Sequence, residues 1–442
     1  MELSGKKVIV VGLGKSGIAA TRLCSRLGAS VVATDQAPAE RLAAEVATLP
    51  AQVVLGGHAG VDFAGADLIV VSPGVPSFPA LLEAEQCGVP VLGELGLACR
   101  YITAPLLFVG GTNGKSTTTT LLGELLTSGG NTVFVGGNLG TPAAEAVGRE
   151  LGAAVLEVSS FQLERSAGVK PKVSVLLNIT EDHLDRYASF ADYADAKGNA
   201  FVAQDASDVA IIPQGDVGCL SQAQRGKGRL LQVGGAGADY AVTEQTIVER
   251  ATGEVFPLQA TRLHGHHNHT NAAFAVAAAR ALGVEAEPIR RALSVFQPLP
   301  HRMALVTEVR GVRFYDDSKA TNVGAAVTAL LGLSEQRGVL IAGGRDKLGS
   351  YAPLVEALKQ KGRAVVLIGE AAGAIEAAIA GALPVVRAGD MPGAVRAAFD
   401  QAQPGDAVLL SPACSSFDMF KSYADRGDKF AEAALSLKQE WS

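Results

Sequence analysis

The chain has 442 residues, 48% of them apolar and 19% charged, with a formal net charge of -6. At roughly 100–200 residues per domain this length predicts about three domains. The acidic total argues against bulk binding to nucleic acid or to an anionic membrane, and no apolar run approaches the roughly 18 residues of a membrane span.

The five cysteines stand singly, with no CxxC pair. That pattern predicts neither a zinc framework nor disulfides, and it suits a cytoplasmic protein. Lys6-Lys7 and the apolar run after it start like a signal peptide. The run breaks at Gly12 and no cleavage site follows, so a first strand is expected instead.

Short apolar runs at 8–11, 31–34, 52–55 and 68–71 predict the strands of a first block, placed at 1–93. Runs at 106–109, 155–158 and 173–179 predict strands of a central block at 94–298, with an alanine-rich buried helix at 271–282. Gln297-Pro298-Leu299-Pro300 marks its end, because prolines so placed cannot continue a helix. A third block, 299–442, has strands expected at 338–342, 364–368 and 407–410. The alternation predicts an α/β protein of three domains: Rossmann-like, P-loop-type ATPase and Rossmann-like. Its sheets should be parallel, with ligands at the carboxyl ends of the strands.

Gly12-Leu13-Gly14-Lys15-Ser16-Gly17 follows a strand and opens a helix, and Asp35 ends the next strand. The glycines let the backbone approach a pyrophosphate at a helix N-terminus. Any diphosphate nucleotide satisfies this physics, nicotinamide included. Gly110-Gly111-Thr112-Asn113-Gly114-Lys115-Ser116-Thr117 follows the strand at 106–109, with Val109 where a strict P-loop has its first Gly. Its N–H groups would cradle phosphates, Lys115 would reach the β/γ oxygens, and Ser116 would bind Mg²⁺.

Glu157 ends an apolar strand, as suits an acid holding that ion directly or through water. Glu181-Asp182-His183 offers a carboxylate pair beside a His at a strand end, fitting a second metal or a polar loop. His264, His266, His267 and His269 lack a Cys or acidic partner at matching spacing, which disfavours zinc. Asn268 and Asn271 could bond a base edge. An oxidoreductase needs one phosphate loop and a kinase the other; a ligase acting on a nucleotide-linked substrate needs both.

Gly-Thr-Asn-Gly-Lys-Ser at 111–116 resembles the ATP loop of the Mur ligases and folylpolyglutamate synthases. The glutamate-adding branch of the Mur ligases is resembled further by Ser72-Pro73-Gly74, Gly137-Asn138-Leu139-Gly140-Thr141-Pro142 and Glu157-Val158-Ser159-Ser160-Phe161-Gln162. Asp316-Asp317-Ser318-Lys319-Ala320-Thr321-Asn322 and Ser411-Pro412-Ala413-Cys414-Ser415-Ser416 extend the resemblance over nearly the whole chain.

The resemblance implies ATP, two Mg²⁺ ions, UDP-N-acetylmuramoyl-L-alanine and D-glutamate as ligands of a monomer. It implies an acyl-phosphate reaction with Lys115, His183 and Lys197 as catalytic residues. ATP would be held by Gly111, Thr112, Asn113, Gly114, Lys115, Ser116, Thr117, Asn268, Asn271, Arg302, Asp317 and Lys319. The UDP-sugar would meet Gly14, Ser16, Asp35, Gly74, Asn138 and His183. The amino acid would meet Thr321, Lys347, Ser416 and Tyr423. The metal ligands would be Ser116, Glu157, His183 and Lys197, the last as a carbamate.

Gln36-Ala37 replaces the common Thr-Arg of the branch, and Tyr423 its common Phe. An oxidoreductase would leave Lys115 and the Asp-Asp-Ser-Lys segment without a role. A regulator that hydrolyses ATP alone would need neither co-substrate.

Overall fold

The computed structural model describes residues 1–182, 186–259, 261–263, 265–297, 299–346 and 350–441. The described residues form three sheets. In the first, the strands lie in the order Gln52–Leu55, Ser30–Asp35, Lys7–Val11, Leu68–Val71, Val91–Gly93, all parallel. The connections run outward in opposite directions from Lys7–Val11, so a crevice opens at its carboxyl end. There the first glycine turn starts helix Lys15–Arg26. Gly17 is required by contact: an added Cβ would lie 1.7 Å from the Gly12 carbonyl oxygen.

The second sheet has nine strands, with Leu106–Gly110 between Ala153–Glu157 and Val173–Leu176. Helices Lys115–Ser128 and His266–Ala281 pack on one face. Leu121, Leu122, Leu125 and Leu126 share a core with the alanine run from Ala272 to Ala279. The small side chains of the second helix let the two axes approach closely. On the other face, Phe108, Leu156 and Phe201 share a core with Val8, Leu23 and Leu95, so the first two units join through one apolar layer.

The third sheet runs in the order Ala304–Val309, Val312–Asp316, Ala407–Leu410, Gly338–Gly343, Gly362–Ile368, Val385–Arg387. Among the described residues, no helix is long and apolar enough to cross a membrane.

Several sequence expectations need correction. The strand expected at 155–158 is Ala153–Glu157. The one expected at 173–179 stops at Leu176, because Asn178 and Thr180 bond the loop at 110–117 instead of a neighbouring strand. The helix expected from 271 begins at His266, after Gly265 at φ 86°.

The sheets are not wholly parallel. Tyr240–Val242, Thr246–Glu249 and Val255–Pro257 form an antiparallel meander. Ala304–Val309 and Val312–Asp316 form a hairpin, whose two turn residues, Arg310 and Gly311, both have positive φ (49° and 76°). Such a turn matches the twist of the flanking strands. The meander strands are only three or four residues long, too short to show the alternation that marks an antiparallel strand. Pro298, used as the boundary signal, lies outside the described residues.

Candidate active site

The loop at 110–117 is shaped by two glycines and braced from beyond a neighbouring strand. Gly111 and Gly114 have φ of 140° and 85°. An added Cβ on Gly114 would sit 2.3 Å from Asn271 Oδ1, so glycine lets loop and helix His266–Ala281 meet. The Asn178 side chain accepts from the Asn113 and Thr112 N–H groups (2.9 and 3.1 Å) and donates to the Asn113 carbonyl at 3.1 Å. Thr112 Oγ1 accepts from Thr180 N at 3.0 Å and lies 3.1 Å from the Tyr193 hydroxyl. The Lys115 ammonium folds back onto the loop, donating to the carbonyls of Gly111 (3.0 Å) and Thr112 (2.8 Å).

This loop floors a cavity of about 270 Å³. Asn138, Glu157, Asp182, Asn268 and Asn271 form its central-unit wall, and Arg302, Asp317, Lys319, Thr321 and Asn322 the opposite wall. Glu157 is buried and accepts from Asn138 Nδ2 through Oε1 at 2.6 Å. Its second oxygen is buried with no hydrogen-bond partner. That orphaned oxygen, in the same cleft as buried Ser116, fits a hard cation. Of the expected carboxylate pair only Asp182 faces this cavity; Glu181 is exposed on the neighbouring cavity.

Lys197 is 3% exposed, and its Nζ donates to the Gly111 carbonyl at 2.8 Å, the same oxygen that Lys115 uses. Its ammonium also lies 4.5 Å from the Tyr193 ring centroid. Burial, and then the Lys115 charge, hold the Lys197 pKa well below the ordinary lysine value. Two ammonium groups on one carbonyl oxygen repel, and burial lowers Lys115 as well, so both are shifted towards the neutral amine, Lys197 further.

On the facing wall, Asp317 accepts from Ser411 Oγ at 2.8 Å and from Met303 N at 3.2 Å. Burial pushes its carboxyl up to about 7, against the pull of Ser411 and Arg302. Burial and the Arg302 charge bring Lys319 down to about 8. The Lys319 ammonium sits 3.7 Å from the Tyr423 ring centroid. Asn322 spans the cleft, donating to Asn113 Oδ1 (3.1 Å) and Asp182 Oδ2 (3.2 Å).

Fully buried Arg426 fastens the segment behind this wall. It donates to Ser318 Oγ at 2.9 Å, to the Ser318 carbonyl at 2.8 Å and to the Cys414 carbonyl at 3.1 Å.

A second cavity of about 540 Å³ opens at the first glycine turn. Gly14, Ser16, Asp35, Gly74 and Asn138 all line it. Asp35 also shapes the turn, accepting from Leu13 N at 2.6 Å and Ala37 N at 2.7 Å.

The residues assigned to the amino acid are less gathered. Thr321 lines the cleft over the 110–117 loop. Ser416 is buried in the turn after strand Ala407–Leu410, and Tyr423 reaches the cleft through Lys319. His183 and Lys347 lie outside the described residues, as does His264. His267 lines the same cleft; burial first, then His269 and His266, lower its pKa to about 4. Sequence reasoning missed Asn178, Tyr193, Asn322 and Arg426. Asn178, a polar residue just beyond a buried strand, and Asn322, the last residue of the motif at 316–322, had a local signal but were given no role.

The fold and both clefts together define a carboxylate–amine ligase architecture, and comparisons agree. Family models match residues 6–93 as the Mur ligase MurD-like N-terminal domain, 109–279 as the Mur ligase middle domain, and 301–414 as the Mur ligase glutamate ligase domain. The chain belongs to the Mur ligase family. A curated relative from Desulfosudis oleivorans is 46% identical, covering 99% of this chain and 98% of its own. Another, from Trichlorobacter lovleyi, is 44% identical over 99% and 100%. Both are named UDP-N-acetylmuramoylalanine--D-glutamate ligase. Among solved structures, MurF ligase from Thermotoga maritima in complex with ADP shares the fold, with a TM-score of 0.63 and 18% identity, covering 100% of this chain and 97% of that one.

Proposed function

We propose that this chain is an ATP-dependent ligase that adds D-glutamate to the alanyl carboxylate of UDP-N-acetylmuramoyl-L-alanine, in peptidoglycan precursor synthesis. One observation carries the reading. The glycine turn for a nucleotide diphosphate and the ATP loop open onto clefts that share Asn138. A substrate anchored by its UDP end can therefore extend its carboxylate towards the γ-phosphate.

The alanyl carboxylate attacks the γ-phosphorus of ATP, ADP leaves, and an acyl phosphate forms. The D-glutamate amine then attacks the acyl carbon and inorganic phosphate leaves with the former carboxylate oxygen. This chain's part is to bring anions together and neutralise them. Lys115 leaves its loop carbonyls for the β/γ oxygens, and Arg302 and Lys319 face it across the cleft. Asp317 and Asn271 suit the nucleoside, and Asn138 the substrate end.

Ser116 and Glu157 would hold one Mg²⁺, and His183 with carbamylated Lys197 a second. When bound, these ions would screen the phosphate charge. Burial shifts Lys197 towards the neutral amine, the form that adds CO₂, giving a carbamate and releasing a proton.

The test is isotopic. With ¹⁸O in the alanyl carboxylate, the account predicts one labelled oxygen in the released phosphate. Unlabelled phosphate would rule out the acyl-phosphate route.

A further inference from the structure

One buried carboxylate has no part in the chemistry above. Glu94 is 1% exposed. It directly follows Val91–Gly93, the last strand of the first sheet, and opens helix Glu94–Ala98. Its Oε1 accepts from the Ala144 N–H at 2.6 Å, and its Oε2 is buried with no hydrogen-bond partner. A cavity of about 10 Å³ lies beside it, lined also by Ser72, Pro73 and Gln162, with room for about one water. A buried carboxylate paired on one side only is costly for a core that needs nothing but packing.

Ala144 belongs to the turn Ala143–Ala146, which follows the loop 137–142. The near end of that loop is held by Glu157, which takes Asn138 Nδ2 at 2.6 Å and, through its carbonyl, Asn138 N at 2.8 Å. The far end is held by Glu94. Between them the loop closes on itself through Gly137 N donating to the Thr141 carbonyl at 2.7 Å. Gly137, Asn138, Gly140 and Pro142 form one wall of the nucleotide cleft, and the first unit forms the other.

Glu94, the residue directly after the last strand of the first sheet, grips the wall supplied by the second unit. The junction has little slack beside it. Gly93 N donates to the Arg165 carbonyl at 2.8 Å, and a Cβ on Gly96 would meet that same oxygen at 2.5 Å.

We propose that Glu94 is a positioning residue: its hydrogen bond to Ala144 fixes the spacing of the two walls of the nucleotide cleft and so aims Asn138 at the substrate. This rests on the reading of that cleft as the UDP-sugar site. Burial also pushes the Glu94 carboxyl up to about 7, so glutamine is a close mimic of its neutral form and keeps the acceptor.

The test uses the full chain with Glu94→Gln, Glu94→Leu and Glu94→Asp. UDP binding is measured by calorimetry, and KM is measured for the UDP-sugar, ATP and D-glutamate. Loss of a buried, strongly held acceptor predicts about tenfold weaker UDP binding and an about tenfold higher UDP-sugar KM for Glu94→Leu, with ATP KM within about twofold. Glu94→Gln should stay within about threefold of wild type on every measure.

Glu94→Asp withdraws the acceptor by one methylene and should show the same selective loss as Glu94→Leu, which decides the matter if the leucine variant does not fold. Unchanged UDP binding in the folded loss variants overturns the proposal. So does an equal fall in ATP and UDP-sugar affinity, or a glutamine variant as poor as leucine. A wild-type chain that binds no UDP would instead overturn the nucleotide reading itself, and the role of Glu94 with it.

Discussion

Gly114→Ala separates backbone strain from crowding in the ATP loop. Gly114 has φ 85°, and its missing Cβ would lie 2.3 Å from Asn271 Oδ1. Ordinary contact begins near 3.4 Å, so the Asn271 side chain, itself an expected ATP contact, or the loop must give way by about 1.1 Å. The left-handed backbone adds about 1–2 kcal/mol for any residue with a Cβ. A control exists at the far end of the same helix: Gly130 has φ 89° and nothing within 4 Å of its Cβ position.

Gly130→Ala should therefore lose about 1–2 kcal/mol of stability in denaturant melts, and Gly114→Ala at least as much, because its clash adds to the backbone cost. Only Gly114→Ala should lose ATP use, because a displacement of about 1 Å at a reacting centre costs on the order of 10²-fold, or about 2.7 kcal/mol. The assay is kcat/KM for ATP in phosphate release, with ATP binding measured alongside. Gly114→Ala within about threefold of wild type, or an equal loss in Gly130→Ala, would refute the reasoning.

Lys197→Ala should abolish turnover, and a small carboxylate such as formate should restore part of it by replacing the carbamate. Wild-type activity should fall in CO₂-depleted buffer and return with bicarbonate; indifference to CO₂ would remove the carbamate.

Asn322 caps helix Val323–Leu331 through Ala325 N and also faces Asp182 across the cleft. Asn322→Asp should keep the cap and the melting temperature yet lower ligation about tenfold by setting two carboxylates together. Asn322→Ala should cost about 1 kcal/mol of stability as well. Equal activity in Asn322→Asp and wild type would discount the bridge.

ATP affinity should peak between pH 7 and 8, since Asp317 loses its charge below about 7 and Lys319 above about 8. Asp317→Asn should remove the acid limb and Lys319→Arg the alkaline one. The stability sign for Asp317 is separate: its folded pKa exceeds the ordinary 3.8, so its contribution is complete below that value and is lost as pH rises through 7. A melting temperature in Asp317→Asn with unchanged pH dependence over that range would contradict it.

The sequence shows the phosphate-binding turns because backbone chemistry restricts which residues can stand there. Gly111, Gly114 and Gly17 answer to positive φ or to contacts that no Cβ survives. Buried strands such as Leu106–Gly110 are legible for a similar reason, as uninterrupted apolar runs. Bridges across the fold leave no such mark. Asn178 braces the loop from 65 positions away, and Asn322 reaches it from 209. Neither side chain differs in type from an ordinary loop asparagine. Arg426 is hidden likewise: on helix Tyr423–Glu440 it reads as a solvated charge, while the fold buries it fully. The Lys197 site combines both cases, since its nearness to Lys115 is set by packing, not spacing.

The most direct test of the central claim is phosphate release from ATP and Mg²⁺ with UDP-N-acetylmuramoyl-L-alanine, with the amino acid varied. The account predicts release that requires the nucleotide substrate and D-glutamate together, matched one for one by amide product. Release with ATP alone, or amide formed with another amino acid and none with D-glutamate, would contradict it.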